Sequence, residues 1–187
     1  MDPSITGAPV QVHESVGIMT TGYRKAGLLA LSVVFGVILL DFRSLRSGLL
    51  AMAPLLMGAI WMVGAMVPLG LEFNNANLLV LPLILGIGVC NGVHIIHRYR
   101  EQPTALVEIV WGSTGKGILV SALTTIAGCL SIGVIAEHPG LSSLGYVLSL
   151  GVLCCLLTSY LALPPLMQLF FRTARRASRD HQGPAAP

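Results

Sequence analysis

Apolar residues along this chain come in long unbroken runs rather than in the alternating or one-faced patterns of a soluble fold. A spanning helix needs about 20 mostly apolar residues, and five runs fit: roughly 26–42, 48–71, 77–97, 117–137 and 143–171. The first is short at its core, but it starts beside Tyr23 and Lys25 can snorkel from its end. Pro164 and Pro165 predict a kink or an end within the fifth. Between the third and fourth runs, "REQPTALVEIVWGSTGKG" places Pro103 where the first turn of a helix accepts it. Ala105, Leu106, Ile109 and Val110 follow at helical spacing, which predicts a short helix lying on the membrane surface, with an ordinary ordered loop as the alternative. The expected fold is all-α, a polytopic transmembrane bundle of five spans.

Three segments follow from this pattern. Residues 1–25 form a polar, partly β-prone lead-in without the basic start and early apolar core of a signal peptide. Residues 26–171 form the membrane domain, and residues 172–187, basic and then Pro/Ala-rich, read as a disordered cytoplasmic tail.

Composition agrees with the pattern. Only 10% of the 187 residues are charged, against about 25% in a soluble domain. The 21 glycines suit helices that approach closely in lipid. The net charge of +3 calls for no nucleic-acid partner, because the basic residues sit at helix ends. Their distribution orients the chain. Nine (Arg43, Arg46, Arg98, Arg100, Lys116, Arg172, Arg175, Arg176 and Arg179) fall on the side of the C-terminus, and two (Arg24 and Lys25) on the other. The C-terminus is therefore expected in the cytoplasm and the N-terminus outside. Cys90, Cys129, Cys154 and Cys155 all lie in apolar runs and read as small apolar residues, not as a disulfide framework or a metal pair.

The third run carries the unusual chemistry. In "GIGVCNGVHIIHRYRE", Cys90, His94 and His97 are spaced i, i+4, i+7 and share one helix face. Gly86 extends that face, and Gly88 and Gly92 form a GxxxG pair beside it, suited to close contact with another helix. Polar groups on a buried helix face the bundle interior and mark a pathway. Of these side chains, His94 can change charge near neutral pH, Asn91 cannot titrate, and His97 reads as a solvated side chain at the membrane boundary. Cys90 with His94 and His97 could also ligate a metal, but no carboxylate accompanies them in the pattern, and no metal or cofactor is expected. The fourth run adds Ser121, Thr124, Thr125 and Ser131 with Gly128, hydroxyls that can also bond back to their own helix. Glu72 and Glu137 read as solvated loop residues, and no nucleophile–base set or phosphate loop points to an enzyme.

The order of "TGAPVQVHES", "LLDFRSLRSGLLAMAPLLMG", "NNANLLVLPLILGIGVCNGVHIIHRYRE" and "STGKGILVSALTTIAGCLSI" resembles the resistance-nodulation-division (RND) superfamily, in particular its MMPL branch and hopanoid-associated transporters. The resemblance covers nearly the whole chain up to residue 171. It implies that the five spans match the second to sixth helices of one half-transporter, with the lead-in as the last strand of a periplasmic domain. A fragment, a split subunit and a relict all fit that correspondence. The resemblance further implies a bacterial inner-membrane protein that exports hydrophobic or lipid-like cargo, with a second half or another copy as partner. It also implies that the residue after "GIGV" is a proton-carrying aspartate, faced by the "TT" pair at Thr124 and Thr125. This chain has Cys90 there. Burial favours the neutral form of an acid; a carboxyl starting near about 4 moves toward neutrality, whereas a thiol starting near about 8.5 stays protonated. Cys90 is thus expected to be a packing residue in a silent relay, with His94 as the rival proton carrier. The same block resembles the sterol-sensing domain, which gives the alternative of a lipid-binding or regulatory module without transport.

Overall fold

The structure is a computed structural model. It describes residues 8–74, 76–101 and 106–169, with side chains from residue 21 onward except 106 and 107. Residues 1–7, Pro103, Ala105 and the tail 172–187 lie outside the described residues. Six α-helices follow one another: α1 Ala8–Phe42, α2 Leu45–Met66, α3 Val80–Glu101, α4 Leu106–Trp111, α5 Ser113–Ile135 and α6 Pro139–Leu161. No strand occurs among the described residues. Five helices are long and apolar enough to cross a membrane, at 21–42, 45–66, 77–101, 113–135 and 139–169, the number that hydropathy predicts.

Local chemistry sets the boundaries. The second span stops at Met66, five residues before its apolar run ends, because Pro68 cannot continue the helix. Gly70 then takes a left-handed φ of 64° while Leu71 N–H donates to the Met66 carbonyl at 3.0 Å, a Schellman closure. At α6, Pro139 occupies the first turn and His138 Nδ1 accepts from Gly140 N–H at 3.2 Å. The helix breaks at Ala162, just before Pro164 and Pro165, and helical turns resume over 163–169. At the other end of the chain α1 begins at Ala8, so residues 8–25 are helical where the sequence suggested a partly β-prone lead-in. Helix α4 forms as expected but sets Ile109 and Val110 into the protein, leaving Trp111 exposed.

Burial is unequal. About 61% of the α6 span is buried, against 11% for α1 and 17% for α5. Helix α6 is the core, with α2, α3 and α5 packed on it and α1 laid along α2 and α3. Small residues make this possible. A Cβ on Gly58 would stand 2.8 Å from Cys155 Cα, and one on Gly88 would stand 2.8 Å from Cys155 Sγ. Helices α2, α3 and α6 therefore meet at a thiol flanked by two glycines. At the α5–α6 crossing, a Cβ on Gly145 would stand 2.6 Å from the Cys129 carbonyl.

Buried hydroxyls add cross-links. Thr158 Oγ1 donates to the carbonyl of Pro54 at 2.7 Å, bridging α6 to the middle of α2. Ser142 Oγ reaches the Gly133 carbonyl at 2.5 Å. No buried side-chain polar atom lacks a partner among the described residues.

Candidate functional site

Helix α3 turns two faces to different surroundings. Its inner face carries Gly88, Gly92, Ile84, Ile95 and Ile96, all buried. The GxxxG pair thus packs within the chain: Gly88 on α6 and on Leu55 of α2, Gly92 on Ala51 and Pro54 of α2. The opposite face carries Gly86, Cys90 and His94, and all three are exposed. A Cβ on Gly86 would meet nothing within 4 Å, and the same holds for Gly128 on α5. These two glycines, expected as packing positions, make no close approach inside the chain. Gly88 and Gly92 belong to the fold of the chain itself rather than to a joint with a second half.

Cys90 sits eleven residues from the end of α3 at Glu101, about 16 Å along the axis at helical rise. It was expected as a packing residue deep in the bundle. Instead it faces outward, with its thiol 3.8 Å from the Gly86 carbonyl. Its register follows from its neighbours: Gly88 and Gly92 must face α2 and α6, which turns position 90 away from them.

Cys90, Asn91 and His94 form one wall of a groove of about 280 Å³. Ser113, Thr114, Gly117, Ile118 and Ser121 of α5 form the other. The side chains of Asn91, His94, Ser113 and Thr114 make no hydrogen bond among the described residues. Thr124 and Thr125 do not join them. Both hydroxyls donate to the Ser121 carbonyl, at 2.8 and 2.9 Å, the back-bonding alternative to facing the relay helix. Ser131 does the same to the Ala127 carbonyl at 2.8 Å.

His97 leaves the stripe altogether. Its Nε2 lies 2.6 Å from Asp41 Oδ2 at the end of α1, and its ring stacks on Phe42 with centroids 4.7 Å apart. The solvated role read for it gives way to a half-exposed cross-helix pair. Sequence reasoning missed this partner because nothing in a single sequence sets the end of α1 beside the end of α3. The usable signal was that Asp41 and His97 both stand at the arginine-rich ends of their runs. With His97 committed to Asp41, Cys90 and His94 are left without a third ligand, and no group of three or more His, Cys, Asp or Glu side chains among the described residues could hold a metal.

Imidazole, amide and hydroxyl groups held open at bilayer depth are costly in an inert anchor and typical of multi-pass membrane proteins that move solutes or protons. The chain belongs to the MMPL family, whose family model matches residues 2–184. It is 29% identical over 182 residues to the hopanoid transporter HpnN of Burkholderia multivorans, covering 97% of this chain and 20% of that protein. To the HpnN of Rhodopseudomonas palustris it is 31% identical over 166 residues, covering 89% of this chain and 19% of that protein. A putative membrane protein of Methanocaldococcus jannaschii is 31% identical over 167 residues, covering 83% of this chain and 40% of that protein. The chain thus spans about a fifth of the length of the hopanoid relatives.

Proposed function

We propose that this chain is the membrane part of one half of an RND-type exporter of hydrophobic or lipid-like cargo in the bacterial inner membrane. On this reading the N-terminus is outside, the C-terminus is in the cytoplasm, and a second half or a second copy is needed for activity. The observation that carries the proposal is the open polar stripe of Cys90, Asn91 and His94 over the α3–α5 groove. Polar groups at that depth need partners, and a facing half would supply them. The cargo class rests on the hopanoid transporters to which the chain is similar.

Proton coupling on this reading is weak in the chain as it stands. Cys90 occupies the position of the expected carboxyl, and a thiol is a poor carrier near neutral pH. His94 is the rival carrier, since its ring lies in the same groove. The test is proton flux in proteoliposomes that also contain the complementary half. Cys90→Asp is expected to raise the flux. Native flux that survives Cys90→Ala but is lost in His94→Ala would instead assign the relay to the histidine.

A second reading, a sterol-sensing-like lipid-binding module without transport, draws on a different feature. Leu69, Leu71, Ile126, Leu130, Tyr146, Leu150 and Leu153 line an apolar groove of about 430 Å³ between the end of α2, α5 and α6. Its one hydroxyl from serine, Ser149 Oγ, is occupied by the Gly145 carbonyl at 2.8 Å. Cross-linking of a photoactivatable lipid at Leu150 without any proton or cargo flux would favour this module.

A further inference from the structure

Helix α1 is the least buried span, so its attachment to the bundle is concentrated where it touches α2 and α3. At its arginine-rich end that attachment is made by charged and aromatic groups. Asp41 Oδ2 meets His97 Nε2 at 2.6 Å, with the two side chains 43% and 40% exposed. Phe42, buried at 3% exposure, meets two basic side chains one turn apart on α3. The His97 ring stacks on it at an interplanar angle of 26°. The Arg100 guanidinium sits 5.3 Å from its ring centre, while Nη1 donates to the Phe42 carbonyl at 3.3 Å.

We propose that Asp41 and His97 form a proton-responsive joint that grips the end of α1 against α3 when the imidazole is protonated and loosens it when the proton leaves. A carboxylate only accepts, so Nε2 carries the hydrogen shared with Asp41 and the exchanging proton enters at Nδ1. It comes from water at that face and returns there; no other bond changes. Imidazoles change charge between about pH 5 and 8. Protonation adds a charge–charge attraction to a bond whose acceptor is already ionised, modest at this exposure, and it also places a cation on the face of Phe42.

Among the described residues, no other ion pair involves Asp41 or His97. On α3, Arg98 pairs with Glu101 at 3.7 Å, and His94 lies one turn away facing the groove. The other charged groups nearest in sequence to this end are Arg43 and Arg46 at the α1–α2 turn, Glu108 of α4 and Lys116 of α5. None of them forms an ion pair among the described residues. Helix α6 contributes Tyr160, whose hydroxyl is given to the Gly115 carbonyl. The joint stands apart from the groove and requires neither cargo nor a second half, so it goes beyond the transport reading.

The test is amide hydrogen exchange of the full chain in lipid nanodiscs at about pH 5.5 and about pH 8, bracketing imidazole titration. Protection factors, corrected for intrinsic rate, are followed at residues 39–43, with Val147–Val152 of α6 as the folding control. In the wild type, protection of the α1 end is expected to fall by up to about fivefold at the higher pH. His97→Gln keeps a donor for Asp41 but cannot titrate, and should flatten the response; Asp41→Asn should reduce it. If His97→Gln also loses α6 protection, His97→Arg takes its place, since a permanent cation should hold the turn closed at both pH values. A flat wild type, or a pH response that persists in the Gln or Arg variant, overturns the joint.

Discussion

The side-chain amide of Asn77 donates to the hydroxyl of Ser143 at 2.8 Å, tying the start of the third span to the start of the fifth. The same amide donates to the Glu72 carbonyl at 2.8 Å, and its Oδ1 accepts from Asn74 N–H at 2.8 Å. Asn74 reciprocates, its Oδ1 taking the N–H groups of Ala76 and Asn77. Asn77 is fully buried, so the turn between α2 and α3 is organised around two reciprocating asparagines, one of them inside the bundle. Asn77→Leu would take their partner from the Asn74 N–H, the Glu72 carbonyl and the Ser143 hydroxyl, in bonds that are part-buried, and should destabilise the fold by about 1–3 kcal/mol. Ser143→Ala should lose about 1 kcal/mol or less. Thermal unfolding in detergent measures both; equal losses would mean that the loop contacts of Asn77 count for nothing.

The two faces of α3 give a paired prediction. Gly88→Leu drives a side chain into Cys155 and Leu55, and should cost several kcal/mol or prevent folding. Gly86→Leu meets nothing in the chain and should leave its stability within about 0.5 kcal/mol. If a second half covers the exposed stripe, Gly86→Leu should instead reduce chemical cross-linking to that partner. Unfolding by Gly86→Leu alone would contradict the register of α3.

Thr158 bridges α6 to α2 through the Pro54 carbonyl while remaining within reach of its own helix at Cys154, 3.0 Å away. Thr158→Val preserves shape and removes the donor. The expected loss is about 0.6–1.7 kcal/mol, the range for hydrogen bonds between membrane helices. Thr158→Ser keeps the donor and should lose less than Thr158→Val, which assigns the loss to the hydrogen bond.

Arg43 has a φ of 48° in the two-residue turn between α1 and α2, a conformation that L side chains adopt at a cost. Arg43→Gly should therefore stabilise the chain by about 1 kcal/mol, read as a higher midpoint of thermal unfolding. An unchanged or lower midpoint would show that the arginine side chain contributes more than its backbone costs.

Orientation is open to direct labelling. Glu72 and Glu101 are exposed at opposite ends of the bundle. With the four native cysteines replaced, Glu72→Cys should react with an impermeant thiol reagent added to intact cells, and Glu101→Cys should react only after lysis. The reverse pattern would invert the proposed topology.

Hydropathy was enough to read the number and order of the spans, because a bilayer imposes length and apolarity on each helix separately. Ends were less legible: the run through Leu71 concealed the stop at Met66, and only Pro68 and Gly70 marked it. The site was half legible. The i, i+4 spacing placed Cys90 and His94 on one face, and the structure keeps them in one groove. Which face points inward depends on what α2 and α6 present, and a single span carries no record of that. Thr124 and Thr125 chose their own helix for the same reason, and the contacts of His97 with Asp41 and of Asn77 with Ser143 join positions 56 and 66 residues apart.

The burial of α6 has a consequence for how the protein is made. The helix that buries most of its surface follows α1, α2, α3 and α5 in the chain, so it leaves the ribosome after each of them has met the bilayer. Until α6 arrives, Gly58 and Gly88 have no Cys155 between them, and Pro54 has no Thr158. The earlier spans must wait as separately inserted helices, stable in lipid because each satisfies its own backbone. Insertion of α6 then condenses these helices in one step, and synthesis arrested before Pro139 should leave helices in the membrane that a protease can still tell apart.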